Sequence, residues 1–447
     1  MKLTTLVLFW ILPLGLNAQD SAQKLSFQPT IHARSFWMST SYQKDFKDDF
    51  AWGNSLSLGL KSNYLQKWYF RASIRGFLNT WSSDINANDP LTNRDNRYET
   101  GLFDLLNRGD KAFLSFENLS LAYKSTKWEI EIGRMGVNTP WINPQDGRLA
   151  PTLMEGLRLG FNPSSDWKVS GWFIHRLRVR GTKDWLRPGE TVGIFPVARD
   201  VNGLPSQYFN NTESRSILIS EVEKESDWGA FNFSNTWAAH LFSTYWFQWE
   251  RDWNREEKTS FFFTGLQLGF QHGIRNGGKD NPLLAFKDPS DQNWVVSTRF
   301  GWKNPKIETH LSATILRGKG RWLSPREWGK DAWYTFIPRE RNEGYESLEA
   351  LTAYFSFQYR RNIQLFGHMG FHWLPDIGDP LANKYAFPSY RQVNLGVKFH
   401  PKNYQKLDFQ ILVMNKEALG LQNLSPTQRY NKVEMIHLNI IANWSLN

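Results

Sequence analysis

Arg176, Arg178 and Arg180 fall on alternate positions of "WKVSGWFIHRLRVR". A strand turns successive side chains to opposite faces, so these three share one face. Guanidinium groups in a row could bind or steer anions, because each is permanently charged and offers carboxylate or phosphate a planar fork. The arrangement recurs. In "KWYFRASIRGFLN", Arg71, Ser73 and Arg75 share one face, and Trp68, Phe70, Ala72, Ile74 and Leu78 take the other. "NWVVSTRFGW" sets Arg299 opposite Trp294, Phe300 and Trp302, and "QVNLGVKF" sets Lys398 with Gln392 and Asn394 against Val393, Leu395, Val397 and Phe399. Arg34 and Arg360, on further alternating segments, have the same sign. Catalytic chemistry has no comparable support. The nine histidines are scattered, there is no cysteine, and neither G-x-S-x-G nor H-E-x-x-H occurs. No enzyme, cofactor or metal site is expected.

Period-two segments predict strands over 27–40, 52–64, 66–80, 112–124, 127–138, 154–162, 167–180, 214–223, 228–238, 241–253, 259–272, 293–303, 306–317, 347–361, 363–373, 390–400, 406–416 and 430–446. Roughly ten residues or more per strand is what a tilted bilayer-crossing strand needs. The segment 214–223 is unusually charged, running into "SEVEKES". Tight joints such as "YLQK", "ST", "NPSSD", "ESD" and "PKNYQ" follow even-numbered strands, and long polar stretches over 81–111, 181–213, 273–292, 318–346 and 374–389 follow most odd-numbered ones. A short joint near Ala239 is the exception. Short turns at one end and long loops at the other are the pattern of a transmembrane antiparallel β-barrel, with the turns facing the periplasm. The fold class expected is therefore all-β, a barrel of about eighteen strands. Charge on a lipid face costs several kcal/mol at the bilayer midplane, which turns the basic face to the lumen.

Composition agrees. Aromatics make up 15% of the 447 residues, with 22 Trp, yet mean hydropathy is −0.52, as when apolar residues occupy every second position between aromatic girdles. "MKLTTLVLFWILPLGLNAQD" reads as a secretory signal cleaved after Ala18, so residues 1–18 are a signal peptide and 19–447 one barrel domain. Losing Lys2 takes the formal charge from +10 to 10 − 1 = +9. An export signal excludes nucleic acid as the partner of that charge, and outer-membrane lipid and lipopolysaccharide are expected around the barrel.

The stretch Asn138–Gly156, "NTPWINPQDGRLAPTLMEG", breaks the alternation with Pro140, Pro144 and Pro151. Proline fixes φ and cannot donate to a ladder, so a rigid connection is expected here, either an ordinary surface loop in which Asp146 and Arg148 pair or, as the third external connection of a porin-like barrel, one that folds inward and narrows the lumen. Asp146-Gly147 suits a tight turn, and Arg148 presents a fork to an anion. The stretch resembles the inward-loop region of the OprD-type outer-membrane porins, in which a D-x-R-L-x-P element leads into the next strand. "FIPRERNEGYESLEALTAYFSFQY" resembles that family's R-E-R-x-E-G element. The resemblance implies a monomeric eighteen-stranded porin that guides small anionic solutes, such as carboxylates, amino acids or short peptides, along basic lumen residues. It assigns Asp146, Arg148, Arg339 and Arg341 to the substrate path. The alternative is a glycan-handling barrel, resting on loop tryptophans in "KDW", "RDW", "GRW", "REW" and "DAW"; an outer aromatic girdle is the favoured explanation of them.

Overall fold

The computed structural model describes residues 25–43, 45–65, 67–145, 147–253, 259–404, 406–420 and 423–446. Residues 1–18, the expected signal, lie outside them. The eighteen strands are β1 (Phe27–Tyr42), β2 (Asp49–Ser62), β3 (Trp68–Ser82), β4 (Ala112–Lys124), β5 (Trp128–Gly136), β6 (Leu153–Phe161), β7 (Trp167–Arg178), β8 (Ile217–Ser226), β9 (Gly229–Ala238), β10 (Phe242–Trp253), β11 (Phe261–Gly273), β12 (Gln292–Lys303), β13 (Ile307–Lys319), β14 (Leu348–Arg360), β15 (Ile363–Trp373), β16 (Tyr390–Phe399), β17 (Leu407–Ala418) and β18 (Met435–Leu446). Each pairs antiparallel with its chain neighbours, and β1 pairs with β18 from Ile31↔Leu446 to Tyr42↔Met435. That pairing closes the sheet and leaves no edge strand. The charged segment holds as β8, while β5, β7 and β18 are shorter than their alternation alone predicts.

Outward positions are apolar and exposed, for example Leu56, Leu58 and Leu60 on β2 and Leu119 and Leu121 on β4. Trp68, Trp128 and Trp167 ring the short-turn end, and Trp81, Trp294 and Trp373 the long-loop end. The lumen is largely filled. Loops after β3, β5, β7, β11, β13 and β15 supply much of three buried apolar clusters inside the barrel. Trp322, Trp328 and Trp333, from "GRW", "REW" and "DAW", are at most 2% exposed. They belong neither to a girdle nor to a glycan platform: they are the core of an inward loop. Trp141 packs on Trp246, Trp322 and Trp333 at ring distances of 5.2, 5.3 and 6.1 Å, the offset edge geometry that aromatic quadrupoles favour.

The wall is uneven. β4 pairs with β5 only from Leu119↔Arg134 to Lys124↔Glu129, so the upper half of β4 lacks a β5 partner. At Gly133 the backbone has φ +115, and a Cβ there would lie 2.2 Å from the Leu119 carbonyl, so only glycine fits. Above the short β5, β6 and β7, chain 179–187 fills the gap. Ser115 Oγ donates to the Lys183 carbonyl at 2.7 Å, Trp185 Nε1 to the Phe116 carbonyl at 2.9 Å, and Leu186 bridges Leu177.

Candidate solute-binding constriction

The proline-rich stretch crosses the lumen. Trp141, Ile142 and Leu149 are buried, so the loop gains apolar burial only by turning inward. Its backbone groups are satisfied by side chains and neighbouring loops, as a segment without ladder partners requires. The Leu149 carbonyl accepts from Ser55 Oγ of β2 at 3.0 Å, and the Pro151 carbonyl from Arg178 at 3.0 Å. Asn143 bonds the loop after β13, its N–H to the Trp328 carbonyl at 3.1 Å and its Oδ1 from the Lys330 N–H at 2.9 Å.

The loop after β13 carries a buried ion network. Glu340 accepts from Arg97 at 2.8 Å and Lys416 at 2.5 Å, and lies 3.4 Å from Arg326. Arg326 also reaches Glu343 at 3.2 Å, and Arg341 pairs with Asp331 at 3.1 Å. Burial pushes Glu340 up, but Arg97, Lys416 and Arg326 hold it well below the usual carboxylate range.

Beside this network a cavity of about 60 Å³ is lined by Arg97, Arg148, Arg180, Arg326, Arg339 and Arg341. They come from four loops, those after β3, β5, β7 and β13. Arg97, Arg326 and Arg341 have the carboxylate partners just named. Arg148 and Arg180 bond neutral acceptors among the described residues: Arg148 the Gly147 carbonyl at 2.7 Å, and Arg180 the Gln145 side chain at 2.7 Å and the Arg326 carbonyl at 2.6 Å. Arg148 Nε is buried without a hydrogen-bond acceptor. Burial and the neighbouring Arg339 push Arg148 down to about 10, and burial with Arg148 and Arg341 lowers Arg180 well below the usual guanidinium range. Cations that depress one another this way make a site that, among the described residues, carries more guanidinium groups than carboxylates to balance them.

Four of the residues singled out from sequence, Arg148, Arg180, Arg339 and Arg341, therefore meet at one cavity. Asp146 lies outside the described residues. Arg75 and Arg178 instead share Glu117, at 2.7 and 3.0 Å, in a buried brace under the Leu149 carbonyl. Arg71 pairs with Glu131, Arg34 donates to Asn443 at 3.1 Å, and Arg360 stacks on Tyr359 at the end of β14. Arg176 departs from the expected lumen face. A bulge opposite Glu155/Gly156 makes Arg176 the partner of Glu155, in a row Leu119–Arg134–Glu155–Arg176 whose first member is an exposed lipid-facing leucine. One extra residue flips the alternation. Arg299, paired with Glu250 at 2.5 Å, and Lys398 line a wider chamber of about 860 Å³ below the constriction, toward the short turns, with Glu308, His310 and His368. Arg97 and Arg326 were not singled out, because they sit in loops where no period marks a face.

No protein-family model matches the chain, and no curated protein matches it in sequence. Solved structures do match in fold. Pseudomonas aeruginosa OpdK, crystallised with vanillate, superposes at TM-score 0.71 with 10% identity over 94% of this chain and 98% of that one. Acinetobacter baumannii OccAB3 superposes at 0.72 with 10% identity over 94% and 99%. OccAB4 of the same organism superposes at 0.70 with 12% identity over 96% and 100%. The chain has the OprD-type porin fold. In this porin fold the arginine cavity lies inside the barrel, where loops from the long-loop end converge on the lumen.

Proposed function

We propose that the protein is a channel of the outer membrane of a Gram-negative bacterium, passing small anionic solutes through the arginine-lined constriction. The observation that carries this reading is Arg148 and Arg180, two buried guanidinium groups bonded to neutral acceptors at one cavity. Rows of arginine and lysine are how pores favour anions, and a narrow basic cleft raises the local anion concentration. The solute's carboxylate would be held by Arg148 and Arg180, whose acceptors among the described residues are neutral. The long loops face outside, the short turns face the periplasm, and the barrel works as a monomer without cofactor or catalysis. The likeness to OpdK, which was crystallised with vanillate, a carboxylate, fits this class. In planar bilayers under a salt gradient, wild type should show an anion-selective reversal potential, and Arg148→Gln with Arg180→Gln should move it toward zero. A cation-selective wild type, or a folded double variant with the wild-type potential, would overturn the proposal.

A further inference from the structure

The Arg134–Glu155–Arg176 row lies on the outer wall, away from the constriction. Arg134 Nε donates to Glu155 Oε2 at 2.7 Å, Arg176 Nη1 lies 3.7 Å from Oε1, and Arg134 stacks over Trp185 at 4.8 Å. One carboxylate serves two guanidinium groups, so the patch keeps a net positive charge. Arg176 remains 41% exposed, and the exposed Leu114, Phe116 and Leu119 of β4 flank the row.

Its height matters. Arg134 lies six residues along β5 from Trp128 in the girdle at the short-turn end. At about 3.3 Å per residue and a tilt of about 40°, that is roughly 15 Å above the girdle in an apolar belt about 25 Å tall. On β3 the outward face stays apolar from Trp68 to Leu78; on β5 it is apolar only through Trp128, Ile130 and Ile132 before reaching charge. Here the wall's apolar belt is cut short, and a flat bilayer would leave two arginines in its hydrocarbon. Long basic side chains relieve this by reaching up to the headgroup level, and a lipid phosphate can accept from both forks.

We propose that this patch binds the phosphate group of an anionic outer-leaflet lipid between Arg134 and Arg176, with Glu155 spacing the two guanidinium groups. The chemistry matches: two forked donors, a net positive charge, apolar neighbours for acyl chains, and Trp185 at the rim. The proposal rests on the outer-membrane reading above.

The test uses the full chain, folded into vesicles of zwitterionic lipid doped with bisphosphorylated lipid A or with its dephosphorylated form. Lipid retained per barrel after extraction is counted by native mass spectrometry. Wild type should retain the phosphorylated form at least about tenfold better than the dephosphorylated one, the effect of roughly one charge-assisted contact. R134Q/E155Q/R176Q, which removes all three charges together and strands none, should lose that preference. E155Q should strengthen it. Equal retention of both lipids by wild type, or wild-type retention by a triple variant that still shifts on heating in gels, overturns the site. That gel shift reports the barrel independently, and reversal potential reports the channel, so failure of either earlier reading would be seen separately.

Discussion

Replacing Glu340 with Gln should loosen the loop after β13 and make the constriction more basic at once. The carboxylate is 3% exposed and touches Arg97, Lys416 and Arg326 at 2.8, 2.5 and 3.4 Å, partners themselves no more than 12% exposed. At an effective dielectric of about 20, each contact is worth about 5–7 kcal/mol in Coulomb terms before desolvation. Most of that offsets the desolvation of the charges, so the measurable loss is the cost of stranding buried cations, about 3–5 kcal/mol. The barrel's ladder does not pass through Glu340, so the loss should appear as local opening rather than unfolding. Amide exchange in 336–346 should accelerate by about 10²- to 4 × 10³-fold, at about 1.4 kcal/mol per decade, while strand amides keep their protection. The reversal potential should move further toward the anion limit, because a negative charge beside the cavity has gone. Unchanged exchange in 336–346 would mean that aromatic packing alone holds the loop. A shift toward cations would refute the electrostatic account of the cavity.

Deleting Asn143 to Ala150 removes the buried Leu149 and Arg148 together and should raise single-channel conductance without preventing assembly; unchanged conductance would show that the stretch does not limit flow. Glu99, buried in the loop after β3 and bonded by Thr40 at 2.7 Å and Asn96 at 2.7 Å, is pushed up to about 7 by burial. The native state therefore binds more protons than the unfolded chain from about pH 4.5 to about 7. Across that window stability falls as pH rises, and Glu99→Gln should flatten the slope in a denaturant series. A slope that survives in Glu99→Gln would assign the titration to another group. Glu340 acts in the opposite sense, its contribution being present above about pH 4.5 and lost as pH falls through its depressed value.

The strands were legible from the sequence because alternation is a local property. Val169, Phe173 and Leu395 face lipid whatever the rest of the chain does, and period two reports it within a few residues. The proline stretch was legible too, since three fixed φ angles among buried-type residues leave few roles. Which arginines meet was not legible. Arg97, Arg148, Arg180 and Arg326 are far apart in sequence and reach one cavity only after the barrel has closed and four loops have folded into it. Nor does alternation reveal which cations are already paired: Arg178 looks like Arg180 on the strand, yet Glu117, 61 residues away in the chain, neutralises one and not the other. Arg176 shows the remaining limit. Its face depends on a single bulge residue, and a bulge is settled by the pairing of two strands, not by either strand alone. Local periodicity follows from backbone geometry and is written in the chain; the sum of charges at a point in space follows from closure and packing, which only the folded barrel decides.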